Sequence, residues 1–250
     1  ILFMVGQPLG IYWGAQTDGI YADWEEAINS GIAGAAPGEI KYLNNYVDVD
    51  DSGQPLAIQE INFDDYVKIG DPNPDFTYSI SNNFTYKNWD ASILFTGQKG
   101  GDLFWVDSWQ LSGLQKTTNV LSSSFENSWK APLVYENGSY VYNPLAANVN
   151  NVGHPGALID TGARAISSDR NIYDGSFIRL KNINIGYNFE FSQGRNMRVY
   201  ISGQNLFVWT DYPGYDPEVK TYTKNPQKRG VDFGTYPGTK SMLIGLKFNY

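Results

Sequence analysis

The sequence predicts an all-β fold, a transmembrane antiparallel β-barrel seen in part, on three observations. Apolar side chains recur at every second position through several segments, which is the period of a strand whose two faces meet different surroundings. The connections between these segments alternate short and long without a break, as an outer-membrane barrel requires, with turns on the periplasmic side and long loops outside. The segments also number six and a remnant, fewer than the roughly eight strands that closure needs.

In chain order, Ile1 to Val5 reads as the tail of a strand, followed after Gly6 to Pro8 by a weak strand in which Leu9, Ile11 and Trp13 alternate with Gly10, Tyr12 and Gly14. Phe76, Tyr78, Ile80, Phe84 and Tyr86 oppose Thr77, Ser79, Ser81, Asn83 and Thr85, with Asn82 the exception. A tight Lys87-Asn88 turn leads into Trp89, Ala91, Ile93 and Phe95 against Asp90, Ser92, Thr96 and Gln98, so these two segments form a hairpin. Ile183, Ile185, Tyr187, Phe189 and Phe191 alternate with Asn182, Asn184, Gly186, Asn188 and Glu190. Val199 and Ile201 oppose Arg198, Tyr200, Ser202 and Gln204, and the last strand sets Met242, Ile244, Leu246, Phe248 and Tyr250 against Leu243, Gly245, Lys247 and Asn249. The long connections run from about 22 to 74, 99 to 175 and 209 to 239. This order runs the final strand inward, with Tyr250 at the periplasmic rim. Open edges in lipid leave backbone groups unsatisfied at several kcal/mol each, so the rest of the cylinder is expected outside these residues. A soluble sandwich with aromatic-rich faces is the competing architecture.

Composition removes several function classes. Aromatic residues make up 15% of the chain and charged residues 18%, which argues for a folded protein and against a disordered tail. A net charge of −8 disfavours nucleic acid, whose affinity comes from neutralised phosphates. The absence of Cys excludes disulfides, thiolate zinc sites and cysteine catalysis. One histidine, His154, is too few for a histidine-rich metal site or a catalytic triad and reads as a loop residue before Pro155. The longest apolar run, Ile1 to Val5, is far shorter than the roughly 20 residues of a spanning helix. With no leader and no initial Met, the chain is expected to be a processed product or a fragment.

Six segments in order carry a family resemblance. They are Gly6-Gln-Pro-Leu-Gly-Ile-Tyr12 with Asp18-Gly-Ile20, Pro37-Gly-Glu-Ile-Lys-Tyr42, Ile69-Gly-Asp-Pro-Asn-Pro-Asp-Phe76, Asp174-Gly-Ser-Phe-Ile-Arg-Leu-Lys-Asn-Ile-Asn-Ile-Gly-Tyr187, Asn205-Leu-Phe-Val-Trp-Thr-Asp-Tyr-Pro-Gly-Tyr-Asp-Pro-Glu-Val219, and Tyr236-Pro-Gly238. Together they resemble the C-terminal region of SusC/RagA-type TonB-linked outer-membrane transporters of the Bacteroidetes. The resemblance implies about the last seven of 22 strands, a plug domain and signal peptide outside these residues, and a place in the outer membrane. It implies import of oligosaccharides or peptides under a SusD-like surface lipoprotein, driven by the TonB complex, with no catalysis and no required cofactor. The end of the chain, with Gly245, Phe248 and Tyr250, resembles the signal read by barrel-assembly machinery, although Leu243 stands where a polar residue is usual. A passive porin or adhesin barrel, and a soluble carbohydrate-binding or hydrolytic β-sandwich, are the rival functions.

Candidate residues follow from these faces and loops. Tyr12, Arg198, Tyr200, Gln204, Lys247 and Asn249 fall on polar parities and are expected to face the lumen. Trp105, Trp109, Trp129, Tyr135, Tyr140 and Tyr142 in the long loop could stack on sugars, or equally form loop core or partner interface. Asp48, Asp50 and Ser52 open like a calcium loop, but an EF-hand glutamate is missing where Gln59 stands, so weak Ca2+ binding competes with a solvated acidic loop. The pairs Glu25-Glu26 and Asp64-Asp65 read as solvated surface, and Asp216-Pro-Glu218 as a rigid turn.

Overall fold

A computed structural model describes residues 1–108, 111, 119–130, 133–142, 167–220 and 225–249; within these the side chains of 134, 140, 142, 193 and 226 are left aside. The chain divides into two compact units, Ile1–Gly70 with Phe104–Ile172, and Asp71–Leu103 with Tyr173–Tyr250. Among the described residues no helix is long and apolar enough to cross a membrane, which does not bear on β-barrels.

The second unit is built on one antiparallel sheet of five strands in sequential order. These are β1 (Pro74–Tyr86), β2 (Trp89–Gly100), β3 (Phe177–Glu190), β4 (Asn196–Thr210) and β5 (Ser241–Asn249). Each strand pairs with the next, so all turns at one end are short and all connections at the other are long. The two-residue turn after β1 places Lys87 at φ 53, the left-handed backbone that such hairpins require. Both outer strands, β1 and β5, leave an edge unpaired among the described residues. A long, exposed, apolar edge would template aggregation in water; in a larger cylinder it is the place where the next strand adds.

Strand β4 carries a bulge that alternation alone does not reveal. The strand runs on to Thr210, in keeping with a connection that begins near Trp209. Gln204 pairs with Asn182 but Phe207 with Leu180, so β4 holds two residues where β3 holds one. Asn205 takes φ 51 there, forming a bulge, and its amide donates to the Thr239 carbonyl. A second bulge at Lys181 offsets β3 against β2. The insertion at Lys181 switches the parity of β3, so Leu180 and Ile178 join the apolar face beside Phe207 and Trp209.

The first unit is made of short elements. The strands Thr17–Ile20 and Ile40–Tyr42 pair antiparallel, and around them Ala15, Ile20, Ile40, Tyr42 and Trp129 form a buried cluster with Ile61 and Tyr66 against it. The helix Trp24–Asn29 starts at Asp23, whose carboxylate accepts the Glu26 N–H, while Glu26 reaches back to the Ala22 N–H and to Lys41. The expected strands Ile1 to Val5 and Leu9 to Trp13 are not long sheet members. Only the Leu2–Ile11 bridge links them, and Tyr12–Gly14 pairs with Val67–Gly70. Glycines at 10 and 14 leave this stretch little side-chain surface to pack as a long strand.

Asp64-Asp65 also departs from its reading as solvated surface. Asp65 is fully buried, and its carboxylate accepts the N–H groups of Asn45, Tyr46 and Asn62 at 2.8–2.9 Å. A short 3₁₀ turn over Phe63–Asp65, capped by Asn62, aims it inward. Three backbone donors replace the water a buried carboxylate would otherwise lose. Glu26 is likewise engaged with Lys41, and both groups titrate further from neutrality as a result.

Candidate functional site: a two-faced wall and its loop latch

Strand register sorts the five-stranded sheet into two chemically opposite faces. Directly paired residues share a face, so one row reads Tyr86, Trp89, Tyr187, Val199, Leu246 and the next Phe84, Ala91, Ile185, Ile201, Ile244. Higher rows hold Ile93, Ile183 and Met242, then Ile80, Phe95, Leu180 and Phe207, then Tyr78, Ile178 and Trp209. Ile185, Ile201, Ile244, Phe84 and Phe207 on this face are all exposed. Such a continuous apolar surface does not belong in water.

Its dimensions fit a bilayer. Phe76 and Tyr86 lie ten positions apart on β1, about 33 Å at roughly 3.3 Å per residue. A strand tilt of about 40° reduces that to about 25 Å, the height of an outer-membrane apolar band. Aromatic rings gather at both ends. Tyr187 packs edge-on to Trp89 and Phe189 at 4.9 and 4.7 Å, and Phe207 stacks with Trp209 at 5.9 Å. Interfacial girdles of this kind are where amphipathic rings are most stable.

The opposite face is polar. Thr85, Asp90, Gly186, Tyr200 and Gly245 share a row, and Asn83, Ser92, Asn184 and Ser202 share the next, with Leu243 its apolar member. Arg198, Tyr200, Gln204, Lys247 and Asn249 all lie on this face; Arg198 pairs in register with Lys247, Gln204 with Ser241, and the Asn249 amide donates to Asn196 at 2.7 Å. Arg198 reaches across β3 to Asp90, donating through Nε at 2.9 Å and through a second nitrogen, and also donates to Asn184 at 2.6 Å. Asn188 adds a 3.0 Å bond to the same carboxylate. The guanidinium passes over Gly186, where any Cβ would lie 2.5 Å from Arg198 Nε. The Tyr200 ring, 4.8 Å beneath the guanidinium, covers Gly245 and fills the space of its missing side chain. Gly245 is thus a packing requirement of the wall, beside any role in assembly.

Three of these motifs meet at one carboxylate near the long-loop end of the sheet. Arg179, 3% exposed, donates to Asp216 at 2.5 Å, and Asp216 is 4% exposed. The same carboxylate accepts the N–H of Glu218 at 2.9 Å and of Gly238 at 3.0 Å. Glu218 Oε2 lies 2.9 Å from Arg179 Nε without the N–H aimed at it, a charge contact more than a hydrogen bond. Burial by itself raises the Asp216 pKa, but the N–H groups of Gly238 and Glu218 and the Arg179 charge outweigh it and hold the carboxyl below its usual range. The loop after β4 is further fixed by Tyr212, which donates to the fully buried Asp232 at 2.6 Å, while Asp232 accepts the Thr235 N–H at 2.8 Å. Asp216-Pro-Glu218 is therefore a latch, more than the rigid turn it suggests in sequence. The Asp174-Gly-Ser motif has a parallel account. Asp174 accepts from the Ser176 N–H and hydroxyl at 2.8 and 2.6 Å, Ser176 Oγ accepts the Gly100 N–H at 2.9 Å, and the Gly101 carbonyl approaches too close to Gly175 for any side chain.

The remaining candidates fall elsewhere. Tyr12 is buried in the first unit with its ring 5.9 Å from Phe104 and is not part of the five-stranded sheet. Trp105 and Trp129 are buried too; Trp129 donates its indole N–H to the Ala22 carbonyl at 2.9 Å and belongs to the first unit's buried cluster. Tyr135 is 66% exposed on the hairpin of Leu133–Glu136 and Ser139–Tyr142. Tyr140 and Tyr142 lie in that hairpin, their side chains outside those described, and Trp109, His154 and Tyr250 lie outside the described residues. Asp48, Asp50 and Ser52 do not converge. Asp48 accepts from Glu60 and Asn62, whereas Asp50 closes its own turn on Ser52 and Gln54. The Ser52 hydroxyl and the N–H groups of Gln54 and Ser52 hold the Asp50 carboxyl below its usual value. Among the described residues no group of three or more carboxylates or imidazoles is placed to hold a metal.

A sheet that is apolar and aromatic-rimmed on one face, polar on the other, and meandering with short turns at one end only is a stretch of transmembrane barrel wall. No family model matches the chain, but individual relatives do. TonB-dependent receptor P3 of Formosa agariphila is 32% identical over 256 residues, covering 98% of this chain. TonB-dependent receptor SusC of Bacteroides thetaiotaomicron is 31% identical over 161 residues, covering 56%. The solved RagAB peptide transporter shares the fold at TM-score 0.62 and 19% identity over 95% of the chain. The chain belongs to the TonB-dependent receptors. It spans 22% of the length of receptor P3 and 15% of SusC.

Proposed function

We propose that these residues form the C-terminal wall and external loops of an outer-membrane, TonB-dependent importer of oligosaccharides or peptides. It is a transporter with no catalytic step. A SusD-like surface lipoprotein covers it, and the TonB complex drives it through a plug carried by the whole protein. The observation that carries this reading is the pair of faces on one sheet, one built for hydrocarbon and one for a wet lumen. The named relatives support it. Short turns then lie on the periplasmic side, and the latched loops lie outside, where substrate arrives.

On this reading the wall is largely charge-neutralised where it is most polar. Arg198 and Asp90 cancel each other, and beside Lys247 and Tyr200 the face is mostly Asn, Ser, Thr and Gln, so a passing solute meets mainly exchangeable hydrogen bonds. Uptake of labelled oligosaccharides and peptides should be measured in cells with and without the full-length protein, and with and without TonB. Uptake that needs both supports the reading; uptake that persists without TonB would make the protein a passive pore.

A further inference from the structure

We propose that a trough at the long-loop end of the apolar face binds a phosphorylated glycolipid of the outer leaflet. The trough has a volume of about 570 Å³, and its lining includes Phe76, Tyr78, Lys99, Ile178, Trp209 and Asp211, with polar edges supplied by Gln98, Ser176 and Thr210. The hydroxyl end of the Tyr78 ring covers Gly97, where a Cβ would lie 2.5 Å from it. Tyr78, Gly97, Ile178 and Trp209 share one register row of the apolar face, and the missing side chain at Gly97 leaves room in that row for the Tyr78 ring.

The lining chemistry selects the occupant. Tyr78, Ile178 and Trp209 continue the lipid-facing rows, so the ligand comes from the bilayer and lays an acyl chain along them. Trp209 stacks on Phe207 at 26° between planes, leaving its outer face open to a sugar ring. Lys99 pairs in register with Phe76, and its side chain is 59% exposed. Its ammonium stands 3.8 Å from Asp174, a loose pair that leaves donors for a phosphate. Asp211, across the trough, accepts sugar hydroxyls and repels a second anion. A plain hydrocarbon belt has no use for two opposite charges in one depression, whereas a sugar carrying one phosphate and acyl chains satisfies every wall. Placement in the outer leaflet rests on the orientation proposed above.

The test places the full-length receptor in nanodiscs of phosphatidylglycerol doped with lipid A and reads retained lipid by native mass spectrometry. Lipid A is expected on the released protein at about tenfold its bulk fraction, equivalent to about 1.4 kcal/mol. Lys99→Gln and Trp209→Ala should return it to the bulk fraction, while Phe84→Ala, in the middle of the belt, should leave it enriched. Retention at bulk fraction in the unaltered receptor, or equal enrichment in all variants, overturns the site while the barrel reading stands. Failure of the receptor to enter the nanodisc overturns both.

Discussion

Replacing Asp216 with Asn in the full-length receptor is the sharpest perturbation of the loop latch. The substitution removes the charge that Arg179 faces at 2.5 Å while preserving shape and one acceptor oxygen. Removing one partner from a buried ion pair costs about 3–5 kcal/mol in typical cases. Here Glu218 remains 2.9 Å from Arg179 and the amide oxygen still accepts one N–H, so about 2 kcal/mol is the reasonable loss. The loss falls on the 211–240 loop and its seat on β3, because the sheet ladder is untouched. Amide hydrogen exchange read by mass spectrometry should show peptides covering this loop exchanging about thirtyfold faster, with peptides of β1 and β2 unchanged. The pH dependence has a definite sign. The folded carboxyl titrates below its ordinary value, so its contribution is complete above the unfolded pKa of about 4 and is lost as pH falls through the depressed folded value. The Asn variant should lack that step, and the two proteins should converge in acid. Unchanged exchange at neutral pH, or a loss spread evenly over the sheet, would refute the latch.

Other perturbations address the wall and the first unit. Gly245→Val puts a side chain where the Tyr200 ring lies; heat-modifiability on gels should show a sharply reduced folded fraction, and a normal fraction would contradict the packing account. Arg198→Met and Asp90→Asn, combined in a double-mutant cycle of detergent unfolding, should show coupling of about 1 kcal/mol, kept small because both side chains are a quarter to a third exposed. Coupling near zero would make the pair incidental. Trp129→Ala empties the centre of the first unit's cluster and strips the Ala22 carbonyl of its indole donor, so local stability there should fall by about 3–5 kcal/mol. Faster proteolysis confined to that unit is the expected sign, whereas intact stability with lost substrate binding would restore Trp129 as a ligand contact.

What the sequence makes legible follows from periodicity. The apolar rows through Ile185, Ile201 and Ile244, and the polar row through Arg198, Tyr200 and Lys247, depend only on alternation, and alternation survives in a single strand. Bulges do not announce themselves. Alternation through Val199, Ile201 and Gln204 says nothing of the extra residue at Asn205–Leu206, because two residues opposing one, with one left-handed backbone, show only once the partner strand is seen. Long-range partners are equally hidden. Nothing near Arg198 points to Asp90, 108 residues earlier, and nothing in Asp216-Pro-Glu218 points to Arg179 and Gly238. A signal was present all the same: Gly186 and Gly245 interrupt polar rows, and a glycine inside a strand marks a close approach from a neighbour. The buried Asp65 and Trp129 illustrate the converse, since loop cores obey no period and their polar or aromatic residues look like surface or ligand sites until the chain closes around them.

Site-directed spin labelling along β3 of the whole protein in a bilayer tests the central claim most directly, because it asks which side chains meet lipid. Labels at 183, 185, 187 and 189 should be open to oxygen and shielded from a polar nickel reagent, while labels at 182, 184 and 188 should lose the oxygen preference, so that accessibility swings with a period of two. Accessibility that is uniform along the strand, or reversed between the two sets, would contradict a wall with hydrocarbon on one side and a lumen on the other.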